Sequence, residues 1–241
     1  MPRRASDALG VPVLAAIGLQ LAYPLTHGTA RDRITTATVV VVAAASVGHA
    51  TLTRGRRGLA GCVVAAGVGL SAEVVGVHTG VPFGDYSYSG SLGWQVAGVP
   101  IIAGLAWTML AWPAALVARR LAGSAPVRVL IGGWALASWD LFLDPQMVAA
   151  GHWHWAHTSP GLQGIPLTNY LGWLGVSILL VGVLHSLVPR TGSDTQPLTL
   201  YLWTYGSSVL ANVAFFGRPA VALTGGIGMG LVALPLLRRL R

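Results

Sequence analysis

The feature that most constrains the fold is a series of apolar runs, each about 20 residues long, separated by short loops. A helical run of this length matches the thickness of a bilayer. The runs cover residues 9–27, 35–53, 58–79, 98–118, 127–148, 168–188, 198–216 and 219–237. The sequence therefore predicts one all-α, polytopic membrane domain over residues 1–241, a bundle of about eight transmembrane helices, with seven also compatible.

The composition agrees with a membrane protein. Hydrophobic residues make up 54% of the 241 residues and charged residues only 9%, whereas a soluble domain carries about 25% charge. The net charge of +8 does not indicate a nucleic-acid partner, because the arginines lie in short loops between apolar runs. Cys62 is the only cysteine, so the chain has neither an intrachain disulfide nor a cysteine-based metal site.

The distribution of arginine predicts the orientation of the bundle. All fifteen basic residues are arginine, and with the N-terminus inside, twelve of them fall on the inner side. Membrane proteins carry such an excess in their cytoplasmic loops. We therefore expect a multi-pass protein of the plasma membrane with both termini in the cytoplasm.

Acidic residues mark a site at one end of the predicted bundle. Glu73 and the pair Asp140 and Asp144 lie in apolar helices that lead into the outer loops 80–97 and 149–167. An acid inside a membrane segment costs about 2.5–3.5 kcal/mol on insertion scales. Residues four apart share one helix face. Because an acid in a membrane segment is costly, we predict that these acids serve a function. The predicted site lies within residues 73–173.

The outer loops also contain two alternating patterns. Tyr86 and Tyr88 are two apart, and residues 152–155 read His-Trp-His-Trp. In an extended segment, residues two apart point to the same side. We therefore predict two short extended segments. One places both tyrosines on the same side, and the other places both tryptophans on one side and both histidines on the opposite side.

These residue types suit acid-initiated chemistry on an alkene. A carboxylic acid in a dry pocket can stay protonated and donate its proton to a carbon–carbon double bond. The resulting tertiary carbocation is stabilised by aromatic faces, and a second, ionised carboxylate can orient water or accept a proton. The candidate catalytic residues are Asp140, Asp144, Glu73 and Asp85. The candidate substrate-binding residues are Tyr86, Tyr88, Trp107, Trp139, Trp153, Trp155, Asn169, Trp173 and His78.

Metal chemistry fits the sequence less well. Asp140 and Asp144 could hold Mg²⁺ for a diphosphate, as in a membrane prenyltransferase, but the second acid-rich motif of such enzymes is absent. The run 152–155 is not a histidine box of the kind a di-iron hydroxylase needs. We therefore predict no metal site.

The combined motifs resemble one known family. The pattern E-x-x-G-x-x-T-G-x-P-F-G-x-Y-x-Y spans 73–88, and G-V-P, D-x-x-x-D-P, W-x-W and G-I-P-L-x-N-x-x-G-W follow at 98–100, 140–145, 153–155 and 164–173. Together they resemble the membrane carotenoid-biosynthesis proteins, which include hydratases acting on γ-carotene-type and bisanhydrobacterioruberin-type ends. The resemblance implies an integral membrane enzyme that adds water across a terminal isoprenoid double bond, giving a tertiary alcohol without a redox cofactor.

Four functions remain open from the sequence. A carotenoid hydratase is the leading hypothesis, with a lipid-soluble isoprenoid as its substrate and membrane lipid around it. A terpene or carotenoid cyclase would share the protonation step and quench the cation internally. A metal-dependent prenyltransferase and a non-enzymatic carotenoid-binding protein are the other two. No oligomeric state is predicted.

Overall fold

The computed structural model describes residues 3–188 and 193–240, and in this part the chain is an α-helical bundle. The helices are Arg3–Ala22 (α1), Gly28–Thr79 (α2), Ile102–Leu121 (α3), Ala125–Ala137 (α4), Asp140–Ala149 (α5), Leu167–Leu187 (α6), Thr195–Ala214 (α7) and Pro219–Leu240 (α8), and a 3₁₀ turn, Tyr23–Leu25, follows α1. Of the described helices, α2, α3, α6 and α8 are long and apolar enough to cross a membrane. The all-α membrane prediction is confirmed.

The long helix α2 contains a reversal of chain direction. Gly55 has a left-handed backbone, with φ 60° and ψ −144°, which glycine adopts at little cost. Before it, Ser46 Oγ bonds Met109 O and His49 pairs with Trp112, so this half runs parallel to α3. After it, Thr108 bonds Cys62 O while Gly104 lies against Ala66, so the second half runs antiparallel to α3. Gly55 thus separates the two predicted helices 35–53 and 58–79.

An ion pair between a buried arginine and a half-buried aspartate fixes this reversal against the start of α7. The guanidinium of Arg54 contacts the carboxylate of Asp194. Trp112 Nε1 donates to His49 Nδ1 at 3.1 Å, and His49 Nε2 lies 2.8 Å from Ser193 O. Because Nδ1 accepts, Nε2 must be the protonated nitrogen that donates to the carbonyl. Two arginines used in the orientation argument, Arg190 and Arg241, lie outside the described residues.

The predicted helix 127–148 is wrong as one continuous element. Helix α4 ends at Ala137 and α5 begins at Asp140. Between them Trp139 N bonds Leu136 O at 3.3 Å, three residues back, which is the tighter 3₁₀ pattern. The tightening rotates α5 relative to α4. Pro145 then lies inside α5 and does not end it.

The two outer loops are joined by a short antiparallel ladder. The strands are Tyr86–Tyr88 (β1), Gln95–Val96 (β2), Val99–Pro100 (β3), Trp153–Trp155 (β4), Gly161–Leu162 (β5) and Ile165–Pro166 (β6). β1 pairs with β4, with Tyr86 opposite Trp155 and Tyr88 opposite Trp153. The predicted extended segments are confirmed. The aromatic residues of both loops therefore meet above the helices.

Candidate active site

Glu73 is a buried carboxyl group surrounded by hydrogen-bond donors. It is 5% exposed. Its Oε2 accepts bonds from Tyr86 Oη at 2.5 Å and from Tyr88 Oη at 2.8 Å, and its Oε1 accepts one from Trp107 Nε1 at 3.0 Å. Three donors aimed at one carboxyl group suit an ionised carboxylate that accepts and does not donate.

Two glycines on α2 make room for the donors of Glu73. Gly69 and Gly76 lie one turn on either side of it. A Cβ at Gly69 would lie 2.2 Å from Trp107 Cγ, and a Cβ at Gly76 would lie 2.7 Å from Phe83 Cδ2. A Cβ at Gly76 would also lie 3.0 Å from Tyr86 Oη. The absence of side chains therefore lets Trp107 and Tyr86 come close to the helix backbone, which brings Trp107 Nε1 and Tyr86 Oη to Glu73.

Tyr86 and Tyr88 remain phenols. Burial raises the pKa of both hydroxyl groups, and the nearby Glu73 carboxyl raises the pKa of each further. Both groups therefore keep the proton that each donates to Glu73.

Asp140 and Asp144 form a second buried acidic centre. Asn169 Nδ2 donates to Asp140 Oδ2 at 2.8 Å and also to Asp144 Oδ2. Trp153 Nε1 donates to Asp144 Oδ1 at 3.1 Å, and the shared donor Asn169 brings the two Oδ2 atoms side by side. Two carboxylates so close in a dry site do not both ionise readily. The arrangement therefore favours a single proton shared by the two carboxyl groups.

An aromatic row follows the β1–β4 ladder. Trp153 meets Tyr88 edge-on at 5.5 Å between ring centroids, Tyr88 meets Tyr86 at 5.7 Å, and Tyr86 stacks on Trp155 at 5.7 Å. This row connects the two acidic centres, because its tyrosines bond Glu73 and Trp153 bonds Asp144.

A second aromatic group lies deeper in the bundle. Trp107 and Trp173 stack with centroids 3.9 Å apart and planes within 10°, and Trp139 meets Trp173 edge-on at 6.3 Å. Phe83 lies between the two groups, 6.1 Å from Tyr86 and 6.4 Å from both Trp107 and Trp173. The sequence analysis did not single out Phe83, although its place between two turn residues, Pro82 and Gly84, was a usable signal.

The acids and aromatics share one cavity, whose empty space is about 1350 Å³ including its opening. Most of the predicted site residues line it: Glu73, Asp144, Tyr86, Tyr88, Trp107, Trp139, Trp153, Trp155, Asn169 and Trp173. Asp140 is fully buried and does not line the cavity. It is linked to the cavity lining by Asn169, which donates to both carboxyl groups.

The structure does not bring Asp85 and His78 to the cavity. Asp85 is exposed at the start of β1, where its backbone carbonyl accepts a bond of 2.9 Å from Ala156 N. Strand alternation sends it away from the side that Tyr86 occupies. His78 is exposed on α2, and its Nδ1 lies 2.9 Å from Val74 O. Asp85 and His78 were predicted to belong to the site, and both lie outside the residues that line the cavity.

Within residues 3–188 and 193–240, no group of three or more His, Cys, Asp or Glu side chains is arranged to hold a metal ion. The two acidic centres are instead surrounded by donors from tyrosine, tryptophan and asparagine.

Buried acids facing an apolar, aromatic cavity in a helical bundle define the class of this protein as an all-α membrane protein with an acidic site. The chain belongs to the carotenoid biosynthesis protein family, which it matches over residues 34–238. The resemblance found in the sequence motifs is confirmed.

One curated relative matches part of the chain. It is the bisanhydrobacterioruberin hydratase of Haloarcula japonica, 37% identical over 116 residues. The match covers 45% of this chain and 39% of the relative, so the chain spans about two fifths of the relative's length. No solved structure matches the chain.

Proposed function

We propose that this protein is an integral membrane carotenoid hydratase, which adds water across a terminal isoprenoid double bond to give a tertiary alcohol. The observation that carries the proposal is the pairing of two acidic centres on one cavity: a proton-sharing pair at Asp144 and a donor-surrounded carboxylate at Glu73. Membership of the carotenoid biosynthesis family and the hydratase name of the relative support it.

The first step is protonation of the alkene. The shared proton leaves through Asp144, because Asp144 lines the cavity and Asp140 does not. The O–H bond of the acid breaks and a C–H bond forms at the less substituted alkene carbon. The π electron pair is consumed, and a tertiary carbocation remains on the more substituted carbon. Asn169 and Trp153 keep donating to the pair, which now carries two negative charges. The aromatic faces of Tyr86 and Trp155 stabilise the cation.

The second step is the addition of water. The water oxygen forms a C–O bond with the cation, and one of its O–H bonds breaks as the proton passes to Glu73. Glu73 then loses this proton and the Asp140–Asp144 pair regains one, so the acids return to their starting state. The net change is one water added to one alkene, with no oxidation or reduction.

We further propose eight membrane crossings in the plasma membrane, with both termini in the cytoplasm. The reversal at Gly55 makes two crossings of α2, and α4 with α5 together make one. The excess of arginine on the inner side supports this orientation.

Mass analysis of lipid extracts tests the function. The chain is expressed in a host that makes acyclic carotenoids, and the extracts are compared with those of a host carrying the empty vector. We expect new pigments heavier by one or two waters per molecule. New pigments of unchanged mass would assign a cyclase in its place. Loss of the product on chelation, with dependence on a diphosphate substrate, would assign a prenyltransferase.

A further inference from the structure

The cavity has a second polar region that the two acidic centres do not account for. It consists of Tyr23 beside α1, Thr35 and Thr38 on α2, and Thr204, Ser207 and Ser208 on α7, all of which line the cavity. We call this set the hydroxyl wall. Residues three and four apart lie on one helix face, so α2 and α7 each present a stripe of hydroxyl groups to the same space.

Two members of the hydroxyl wall are buried without a partner. Tyr23 is 8% exposed, and neither its Oη nor Thr38 Oγ1 finds a hydrogen-bond partner among the described residues. Buried polar groups in native proteins are nearly always paired, either with protein or with ordered water. These two groups therefore point to a ligand that carries its own hydrogen-bonding atoms.

The hydroxyl wall selects a neutral ligand. Its members carry no charge. Arg31 lies beside the wall, with its guanidinium carbon 5.3 Å from the centroid of the Tyr23 ring, and its Nε already donates to Thr26 O at 2.7 Å. The other aromatic contact of Tyr23 is the ring of Phe216 at 6.0 Å. A phosphate or carboxylate would find no charged partner in the wall, whereas an O–H group can both donate to it and accept from it.

We propose that the hydroxyl wall binds the reactant water of the hydration. This inference rests on the proposed function, because only an addition of water needs a water held ready inside an apolar cavity. A buried water typically needs two to four polar partners, and the wall supplies them. Glu73, which accepts the proton of that water, lines the same cavity. An alcohol group on the isoprenoid itself has the same O–H chemistry, and the experiments below separate the two sources.

An experimental structure that resolves ordered water tests the site without any reaction. We expect at least one water within hydrogen-bonding distance of Tyr23 Oη and Thr38 Oγ1 in the protein without substrate. A dry wall, or lipid filling it, would overturn the inference. This result does not depend on whether the protein proves to be a hydratase.

Kinetics in heavy water test the role of the site. Thr38→Val and Thr204→Val each remove one hydroxyl group and keep the branched shape. We expect each to slow formation of the alcohol by about tenfold. Deuterium from the solvent should still enter the recovered alkene at the original rate, because protonation through Asp144 and its reversal do not consume the bound water.

Ser177→Ala is the matched control for these variants. Ser177 is fully buried on α6 and its Oγ also finds no partner among the described residues, but it does not line the cavity. We expect it to leave both rates unchanged.

Two outcomes would overturn the water site. If deuterium entry falls in step with hydration in Thr38→Val, the wall acts before water addition. If the variants slow only substrates that already bear an alcohol group and spare plain alkenes, the wall recognises the substrate. If the unmodified protein makes no alcohol at all, the proposed function fails, and the resolved structure alone decides whether the wall holds water.

Discussion

Tyr88 Oη donates a hydrogen bond of 2.8 Å to Oε2 of Glu73. The bond joins a strand of an outer loop to an acid inside a membrane helix, fifteen residues apart in the sequence. Since β1 also pairs with β4, the position of this donor depends on both outer loops. The hydrogen bonding of Glu73 therefore depends on residues that lie outside α2, the helix that carries it.

Tyr88→Phe should lower the hydration rate by about tenfold to a hundredfold, because a hydrogen bond to a charged group contributes about 1.5–3 kcal/mol. The measurement is product formation by membranes containing equal amounts of protein. Tyr201→Phe is the control: this tyrosine is also buried and bonded, to Ala135 O at 3.3 Å, but it lies outside the cavity lining. Equal losses in both variants would show that the effect of Tyr88 is one of packing.

Asp144→Asn should reduce turnover by about a hundredfold to ten-thousandfold, the usual range for general acid catalysis. Asp140→Asn should also reduce it, because the amide cannot share the proton of the pair. Asp85→Asn should leave turnover intact, since Asp85 is exposed and outside the cavity. Hydration that persists in the Asp140→Asn, Asp144→Asn double variant would rule out this pair as the proton donor.

Gly69→Ala should destabilise the protein by about 1–3 kcal/mol, as overpacked cores do, because the new methyl group would lie 2.2 Å from Trp107 Cγ. Gly67→Ala offers a close comparison on the same helix. Nothing lies within 4 Å of a Cβ at Gly67, so that change should be neutral or stabilising. Thermal unfolding in detergent measures both. Equal melting temperatures would contradict the packing assigned to Gly69.

The stability of the outer loops should fall as the pH is lowered. Burial lowers the pKa of His152, and this outweighs the opposing effect of Asp32, whose Oδ1 lies 3.9 Å from Nε2. The unfolded chain then binds more protons than the folded one below the ordinary histidine pKa of about 6.5. The stability from a neutral His152 is complete above that pH and is lost progressively below it.

The pH dependence of the melting temperature checks the role of His152. His152→Asn keeps a hydrogen-bonding atom for Ser91, whose Oγ lies 2.7 Å from His152 Nδ1, but it cannot titrate. We expect a shallower decline in melting temperature with acidity. His157→Asn, in the same loop but exposed, should retain the original decline. A steep decline in His152→Asn would show that other groups are responsible.

Much of the fold follows from local sequence. Apolar runs of membrane length predict helices because the backbone must satisfy its own hydrogen bonds in lipid. The alternation of Tyr86 and Tyr88 predicts an extended segment because only that geometry keeps both rings on one side. The same alternation, applied one residue earlier, would have placed Asp85 on the opposite face and removed it from the candidate site.

Other parts of the site depend on contacts that no local pattern shows. The pairing of Tyr86 with Trp155 joins residues from different loops. The bonds from Asn169 to Asp140 and Asp144 join α6 to α5, and the helical period of α5 alone does not show them. No sequence pattern predicts the hydroxyl wall, because isolated serines and threonines are common in membrane helices. Only the folded structure shows that the hydroxyl residues of α2 and α7 line the same cavity.

The β1–β4 ladder has a consequence for how the protein can be recombined with its relatives. Loops 80–97 and 149–167 are far apart in the gene, yet each strand completes the other, and together they deliver Tyr88 to Glu73 and Trp153 to Asp144. We expect a chimaera that imports one loop from another family member to disturb the pairing of both strands. The two loops should therefore be exchanged as one unit. We expect substrate preference to transfer between relatives only when both loops are replaced in the same variant.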